Sequence, residues 1–467
     1  MTQPPTVTTK LLPHQLRVVE RILHADVTGL VVAHGLGSGK TLTSIAAQEA
    51  MGVGADIVVP ASLQDNYAKE IKKHAPGSKL RRTIHSLQAV VRNRTCLRGP
   101  LLIVDEGHRG RNEETATAKQ LFDISLDNWC EMERRIVMTA SPFYNHPVDL
   151  SPLVNLVAAE PVLYAGKKDF EDAYLHDVEV APSLGPKRWT SDARPGARRQ
   201  LRYDELEELQ DTYCKYVDVH GNSSAEFPRV RRATVKVPLS PWQLSDEQRE
   251  RNQAPRWIDI LISALLPPRT GRDTSEMNAF LTKSRQRCNV SSDGHSPKLD
   301  LAIEQLLACL ARNERAKVLV YSTFIGAGVA PFRERLARCQ VPFGEFTGED
   351  NRADRKRVVE DYNFGKIRVL LVSDAGGEGL DLTGTRLVQI LEPAWNEERI
   401  KQVEGRAIRF RSHAHLPLEE QEVEVQKYVM VDPTNNIVTT DQYLQMLCGE
   451  KERLIDMFRA LLPKEIY

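Results

Sequence analysis

The residues best suited to chemistry begin with the run His34-Gly35-Leu36-Gly37-Ser38-Gly39-Lys40-Thr41. Glycines spaced through a loop between a strand and a helix let backbone N–H groups and the helix N-terminus surround phosphate oxygens. Lys40 at the end of such a loop reaches the β- and γ-phosphates of a nucleoside triphosphate, and the Thr41 hydroxyl coordinates Mg²⁺. Gly35, Leu36, Gly37, Ser38 and Gly39 then form the backbone of the phosphate site. The strict pattern opens on glycine, and here His34 stands in that place. Further along, Asp105-Glu106-Gly107-His108 follows an apolar run. An acid at that point can hold the metal through water, and the next acid can orient or deprotonate the attacking water. Asp105 is assigned to the metal and Glu106 to the water.

Strands and helices must hold these groups in place. From about Leu11 to Asn155 short apolar runs alternate with helical patterns: Gly29–Ala33, Ile57–Val59, Leu101–Val104 and Arg135–Met138 read as strands, and Thr41–Ala47 as a helix. Wholly apolar strands alternating with helices indicate a parallel sheet covered on both faces, with functional loops at the carboxyl ends of the strands. A second such region runs from about Pro297 to Asp432. Its strands are Lys317–Tyr321, Val369–Val372 and Arg386–Leu391, with a helical pattern from Asn351 to Asn363.

Composition narrows the class. The chain has 467 residues, 41% hydrophobic and 27% charged, which is globular and points to more than one core. No apolar run reaches bilayer length, and the polar start lacks a signal-peptide core, so a cytoplasmic protein without a membrane partner is expected. Seven scattered cysteines without a CxxC pair argue for reduced thiols and against zinc. With 63 basic and 63 acidic residues, any nucleic-acid surface must be a local patch. Candidate patches are Arg194, Arg198, Arg199 and Arg202, then Arg229, Arg231 and Arg232, then Lys283, Arg285 and Arg287.

In this order the motifs resemble helicase superfamily 2, and the resemblance extends past the first two. Leu12-Pro13-His14-Gln15 looks like the adenine-reading segment, with Gln15 the base contact. Thr139-Ala140-Ser141-Pro142 looks like motif III, which couples hydrolysis to movement. Val372-Ser373-Asp374-Ala375-Gly376-Gly377-Glu378-Gly379-Leu380-Asp381 resembles motif V, with Gly379 and Asp381 at the nucleotide and Gly376 and Gly377 at the nucleic-acid backbone. Gln402-Val403-Glu404-Gly405-Arg406-Ala407-Ile408-Arg409 resembles motif VI. Gln402, Arg406 and Arg409 join Lys40 and Glu106 as catalytic candidates; the arginines lie three apart, a spacing that shares one face of a helix. Supplied by the opposing domain, they would act as arginine fingers. Glu392-Pro393-Ala394-Trp395-Asn396, Arg411-Ser412-His413 and Ser296-Pro297-Lys298-Leu299 resemble the Swi/Snf-like branch, above all the NTPases of large DNA viruses and related small phage DNA helicases. Such motors hold a nucleic-acid backbone across both domains. The resemblance puts Pro60, Ser62, Leu63, His85, Ser86, Ser322 and Thr323 on that track.

The expectation is therefore an α/β protein with two RecA-like parallel-sheet domains in tandem, residues 1–155 and 296–435. A charged, mainly helical insertion is expected at 156–295 and a helical tail at 436–467, packing on the second domain. ATP and Mg²⁺ are the expected cofactors and duplex, forked or branched DNA the partner. The role is remodelling by a monomeric motor in replication, recombination or repair, in a host cytoplasm if the source is viral. A viral transcription-associated ATPase acting on polymerase and an RNA helicase are the alternatives.

Overall fold

The computed structural model describes residues 3–93, 97–110, 132–179, 197–202, 205–221, 226–263, 272–348, 352–373 and 380–464. The chain divides into two units. The first takes Met1–Val178, Arg198–Ser223 and Arg453–Tyr467; the second takes Glu179–Ala197 and Ser224–Glu452.

In the first unit, β1 (Gly29–His34), β2 (Ala55–Val59), β3 (Arg82–Ser86), β4 (Leu101–Val104), β5 (Arg134–Thr139) and β8 (Val217–His220) form one sheet. Its order is β3-β2-β4-β5-β1-β8, and every pairing is parallel. β1, β2 and β4 are buried along their whole length. Helices cover both faces, so neither face of these strands meets water and each reads as an unbroken apolar run. On one face, Leu30, Val32, Ile57, Ile103 and Met138 pack against α1 (Pro13–Leu23) and α2 (Lys40–Met51). On the other, Val31, Val58, Val104 and Val137 pack against the helix Ser151–Ala158 and its neighbours.

Two strands, β6 (Leu175–Glu179) and β7 (Ala197–Leu201), pair apart from this sheet. The second unit carries β9 (Arg229–Pro238), β10 (Lys317–Ser322), β11 (Phe343–Phe346), β12 (Val369–Ser373), β13 (Thr385–Ile390) and β14 (Glu422–Val431). Their order is β11-β12-β10-β13-β14-β9, again parallel throughout.

Two tandem parallel-sheet units are what the alternation of apolar strands and helices requires. Two regions differ from the reading. The described residues of 156–295 do not form a separate helical insertion: β8 completes the first sheet, and β9 is an edge of the second. β8 is a strand of four residues, and β9 is mostly exposed and carries Arg229, Arg231 and Arg232, so neither has the apolar run of a central strand. The tail does not pack wholly on the second domain. It is one helix, Thr440–Arg459, and from Arg453 it belongs to the first unit, where Ile455, Phe458 and Leu462 enter the core beside Phe170 and Tyr174.

Candidate nucleotide site

The phosphate loop leaves the carboxyl end of β1 and enters α2. Gly37 and Gly39 adopt φ of 77° and 82°, the left-handed region that turns successive N–H groups inward. At Gly39 a side chain would also strike Gln15 Nε2, 2.5 Å from where a Cβ would sit. Lys40 Nζ lies over the start of its own loop, donating to the carbonyls of His34 at 3.0 Å and Gly35 at 3.2 Å. The Ser38 hydroxyl is buried with no hydrogen-bond partner among the described residues. An inward nest of amides, an ammonium and an idle buried hydroxyl fit a phosphate chain.

Asp105 and Glu106 stand at the end of β4, the second strand over from β1. Burial and the adjacent Glu106 carboxylate push the Asp105 carboxyl up to about 7, against the pull of Lys40. Such a group is short of positive charge, and a divalent cation would supply it. Thr41 and Asp105 offer hard oxygen donors of the kind Mg²⁺ takes, so the residues fit that ion. Glu106 sits at φ 53°, a conformation that L-residues reach only under strain, and one common at functional sites. Gly107 is required next to it, because a Cβ there would lie 2.3 Å from Val137 Cγ1.

From Glu106 a chain of contacts leads to β5. His108 Nδ1 lies 3.3 Å from Glu106 Oε2 and 3.4 Å from Thr139 Oγ1. Thr139 Oγ1 also accepts from Ser141 N–H at 3.0 Å, and the His108 ring stacks parallel to Tyr144. Thr139 and Ser141 are thus linked, through His108, to Glu106. Gln15 is buried against the loop, its Nε2 donating to Ser38 O at 3.1 Å while its Oε1 accepts from Leu12 N–H.

In the second unit Gln402 and Arg406 lie on the helix Glu397–Ala407, but Arg409 does not. The helix stops at Ala407, where Ile408 leaves helical geometry, and Ser412 Oγ accepts from Arg409 N–H. The pair therefore does not share a helix face. Arg409 is aimed instead by Asp381, with NH1 to Oδ1 at 3.6 Å, and by the Gly405 carbonyl at 3.0 Å from Nε. Gly376, Gly377 and Gly379 lie outside the described residues.

The expected track residues fare unevenly. Ser62 is exposed and Leu63 half-buried just past the carboxyl end of β2, beside a buried Pro60. His85 turns to Asp56, 2.8 Å from Oδ1, and the Ser86 hydroxyl accepts from Ala89 N–H. Ser322 is 1% exposed, and its hydroxyl donates to Glu392, which also takes the Thr323 N–H. Ser322 is therefore a core group rather than a phosphate contact. The basic clusters are largely neutralised: Arg231 pairs with Glu424, Arg232 with Glu404 and Lys283 with Glu250, while Arg199 meets Glu171. Arg285 is buried, donating to the Pro393 carbonyl and lying over the Phe324 ring. Among the described residues no metal-binding cluster of His, Cys, Asp and Glu occurs, and no helix is long and apolar enough to cross a membrane.

The branch-specific words have structural work in the second unit. Ser296 caps the helix Pro297–Arg312, and Lys298 is fully buried with Asp441 at 2.8 Å. Asn396 caps the helix Glu397–Ala407, and His413 Nε2 meets the Thr385 carbonyl at 2.7 Å. Residues 83–289 match the SNF2-related domain, and 299–411 match the helicase conserved C-terminal domain. The chain carries both domains of an SNF2-type helicase of superfamily 2. It is 25% identical over 461 residues to a protein of Acanthamoeba polyphaga mimivirus named as an ATP-dependent RNA helicase, covering 96% of each chain. It is 24% identical over 554 residues to a termination factor NPH-I homolog of African swine fever virus, covering 94% of this chain and 76% of that one. The helicase domain of Pyrococcus furiosus Hef shares the fold, with a TM-score of 0.50, 12% identity and coverage of 93% of this chain and 98% of that one. Its helicase and NTPase homologues imply ATP hydrolysis.

His14, His108, Asp218 and His220 line the site without a role assigned from the sequence. His108 stands in the run Asp105-Glu106-Gly107-His108 without an assigned role. Asp218 and His220 carried no signal, because a four-residue strand in a charged stretch does not declare itself.

Proposed function

We propose that this SNF2-type helicase is a DNA-dependent ATPase that moves along duplex, forked or branched DNA and remodels it. The observation that carries the reading is the contact run Glu106–His108–Thr139, which joins the water-activating acid to a loop at the end of β5. A motor needs such a joint, since hydrolysis must be felt by whatever grips the track.

In this reading Lys40 and the loop amides hold the β- and γ-phosphates, and Glu106 takes the proton of the attacking water. When bound through Thr41 and Asp105, Mg²⁺ would neutralise the phosphate oxygens and favour the ionised Asp105. Arg406 and Arg409 are assigned to the charge that builds on the transferring phosphoryl group, Arg409 being held ready by Asp381. Gln15 secures the loop and is assigned to the base. Pro60, Ser62 and Leu63 are the track contacts that retain support, since they sit at a strand's carboxyl end.

A second reading is favoured by one specific finding. The African swine fever virus relative is named a termination factor, so a transcription-associated ATPase acting on a polymerase has equal chemistry. The test is MgATP hydrolysis with single-stranded, duplex, forked and four-way DNA and with RNA. Greatest stimulation by forked or four-way DNA supports remodelling. Equal stimulation by every duplex supports a translocase whose target is a bound protein. Stimulation by RNA alone overturns the choice of DNA.

A further inference from the structure

Beside the phosphate loop lies a cluster of imidazoles that hydrolysis does not use. On the parallel ladder of β1 and β8, Val32 pairs with Asp218 and His34 with His220. Side chains alternate along a strand, so these four project from one face of the sheet. That is the face covered by α1, on which Val18, Val19 and Ile22 pack with Val32. His34 is fully buried, and its Nε2 lies 2.8 Å from Asp218 Oδ1. Asp218 is held in turn by Arg17, through Nε at 3.0 Å and NH2 at 2.8 Å, and by Arg21 at 3.0 Å. His14 stacks flat on His220, with centroids 3.8 Å apart and planes 9° from parallel, and both rings meet His34 edge-on.

These contacts grip the loop from both ends. On the entering limb the Gly35 N–H donates to the His220 carbonyl at 2.9 Å. On the leaving limb the Ser38 carbonyl accepts from His14 Nε2 at 3.0 Å and Gln15 Nε2 at 3.1 Å. The His14–His220 stack joins the two holders. The entering limb also presents the two carbonyls that accept from Lys40 Nζ, so fixing that limb fixes the lysine.

The tautomers follow from the partners. His14 Nε2 faces a carbonyl and His34 Nε2 a carboxylate, so each carries its proton on that nitrogen. His34 Nδ1 is then a buried acceptor with no partner among the described residues. A buried unpaired polar atom is destabilising, and the glycine usual at this position would not incur it. The ring's favourable contribution must therefore come from what it holds. The cluster is lined by His14, Arg17 and Arg21 from α1, Lys40 from α2, and Asp218 and His220 from β8. Burial lowers the pKa of His34 and takes His14 down to about 4, keeping both rings neutral.

We propose that His34, Asp218, His14 and His220 form a clasp that holds the phosphate loop in its nucleotide-binding shape, with His34 and Asp218 as positioning residues for the triphosphate. The clasp rests on the nucleotide site proposed above, so Lys40→Ala is measured beside it. The experiment is steady-state MgATP hydrolysis by the full chain carrying His34→Leu or His34→Gln, with thermal unfolding as the folding control. Leucine fills the buried volume without a donor, and glutamine keeps an N–H for Asp218. His34→Leu should raise KM about tenfold, the effect of one lost hydrogen bond to a charged group, while kcat falls much less. His34→Gln should recover most of that loss. A folded His34→Leu protein with wild-type KM overturns the clasp, as does a loss confined to kcat. His34→Gln as impaired as His34→Leu also overturns it, because packing alone then accounts for the effect. Should His34→Leu not fold, Asp218→Asn, which weakens the same hydrogen bond, is held to the same KM criterion. An inactive Lys40→Ala with wild-type His34→Leu removes the clasp alone, whereas an active Lys40→Ala removes the nucleotide site itself.

Discussion

Glu106 has left-handed backbone geometry, an acidic neighbour in Asp105 and a histidine 3.3 Å from its carboxylate. A residue so placed is costly to hold and is expected to act as the base for water. Glu106→Gln should therefore lower ATP turnover by about 10²–10⁴, the usual contribution of a positioned base, while ATP still binds. Rapid-quench hydrolysis with a parallel binding measurement checks both halves. His108→Ala should cut nucleic-acid-stimulated turnover more than unstimulated turnover, because it breaks the joint to Thr139 rather than the phosphate site; equal losses would place His108 in the chemistry alone. Protonation gives a further prediction. His14 falls from 6.5 in the unfolded chain to about 4 when folded, so the unfolded state binds more protons between those values. Its stabilising effect is complete above pH 6.5 and is lost as pH falls toward 4. Asp105, raised to about 7, works in the opposite sense, favouring the folded state as pH falls. The separable outcome is that His14→Asn loses less Tm than the wild type between pH 7 and pH 5. The phosphate loop and the acidic pair were legible in sequence because their chemistry is local to a strand end. The surroundings of His85, Ser322 and Arg285 were not. Each is claimed by a partner distant in sequence, namely Asp56, Glu392 and Pro393.

At the scale of elements, central strands declared themselves because burial on both faces demands unbroken apolar runs. Edge strands did not, since β8 and β9 carry polar residues that one-sided packing permits. The limit of the helix Glu397–Ala407 was equally hidden. Spacing alone continues a helix through Arg409, whereas the turn closed by Ser412 ends it. Two helices supply stability tests. Lys298 and Asp441 are both fully buried and paired, and truncating one partner strands the other charge, so Lys298→Ala should cost about 3–5 kcal/mol in urea unfolding. Phe458, buried with its centroid 5.3 Å from that of Phe170, anchors the end of the final helix in the first unit. Phe458→Ala should cost about 3–5 kcal/mol, again read by urea unfolding. A loss below 1 kcal/mol in the first variant would mean that the ion pair contributes no more than an exposed one.

For the whole molecule, 63 basic and 63 acidic residues give no net charge to attract a polyanion from a distance, and among the described residues the exposed Arg231, Arg232 and Lys283 each pair with a carboxylate. In the proposed reading, recognition falls to loops at the carboxyl ends of the strands, where Ser62 and Leu63 stand beside the candidate nucleotide site. The proposed function requires that hydrolysis at Lys40, Asp105 and Glu106 answer to DNA. The most direct test is MgATP turnover by the wild-type chain and by Glu106→Gln, each with and without duplex DNA. The wild-type rate should rise severalfold with DNA, and the Glu106→Gln rate should stay near zero in both conditions. A wild-type rate indifferent to DNA, or a Glu106→Gln protein that turns over normally, would contradict it.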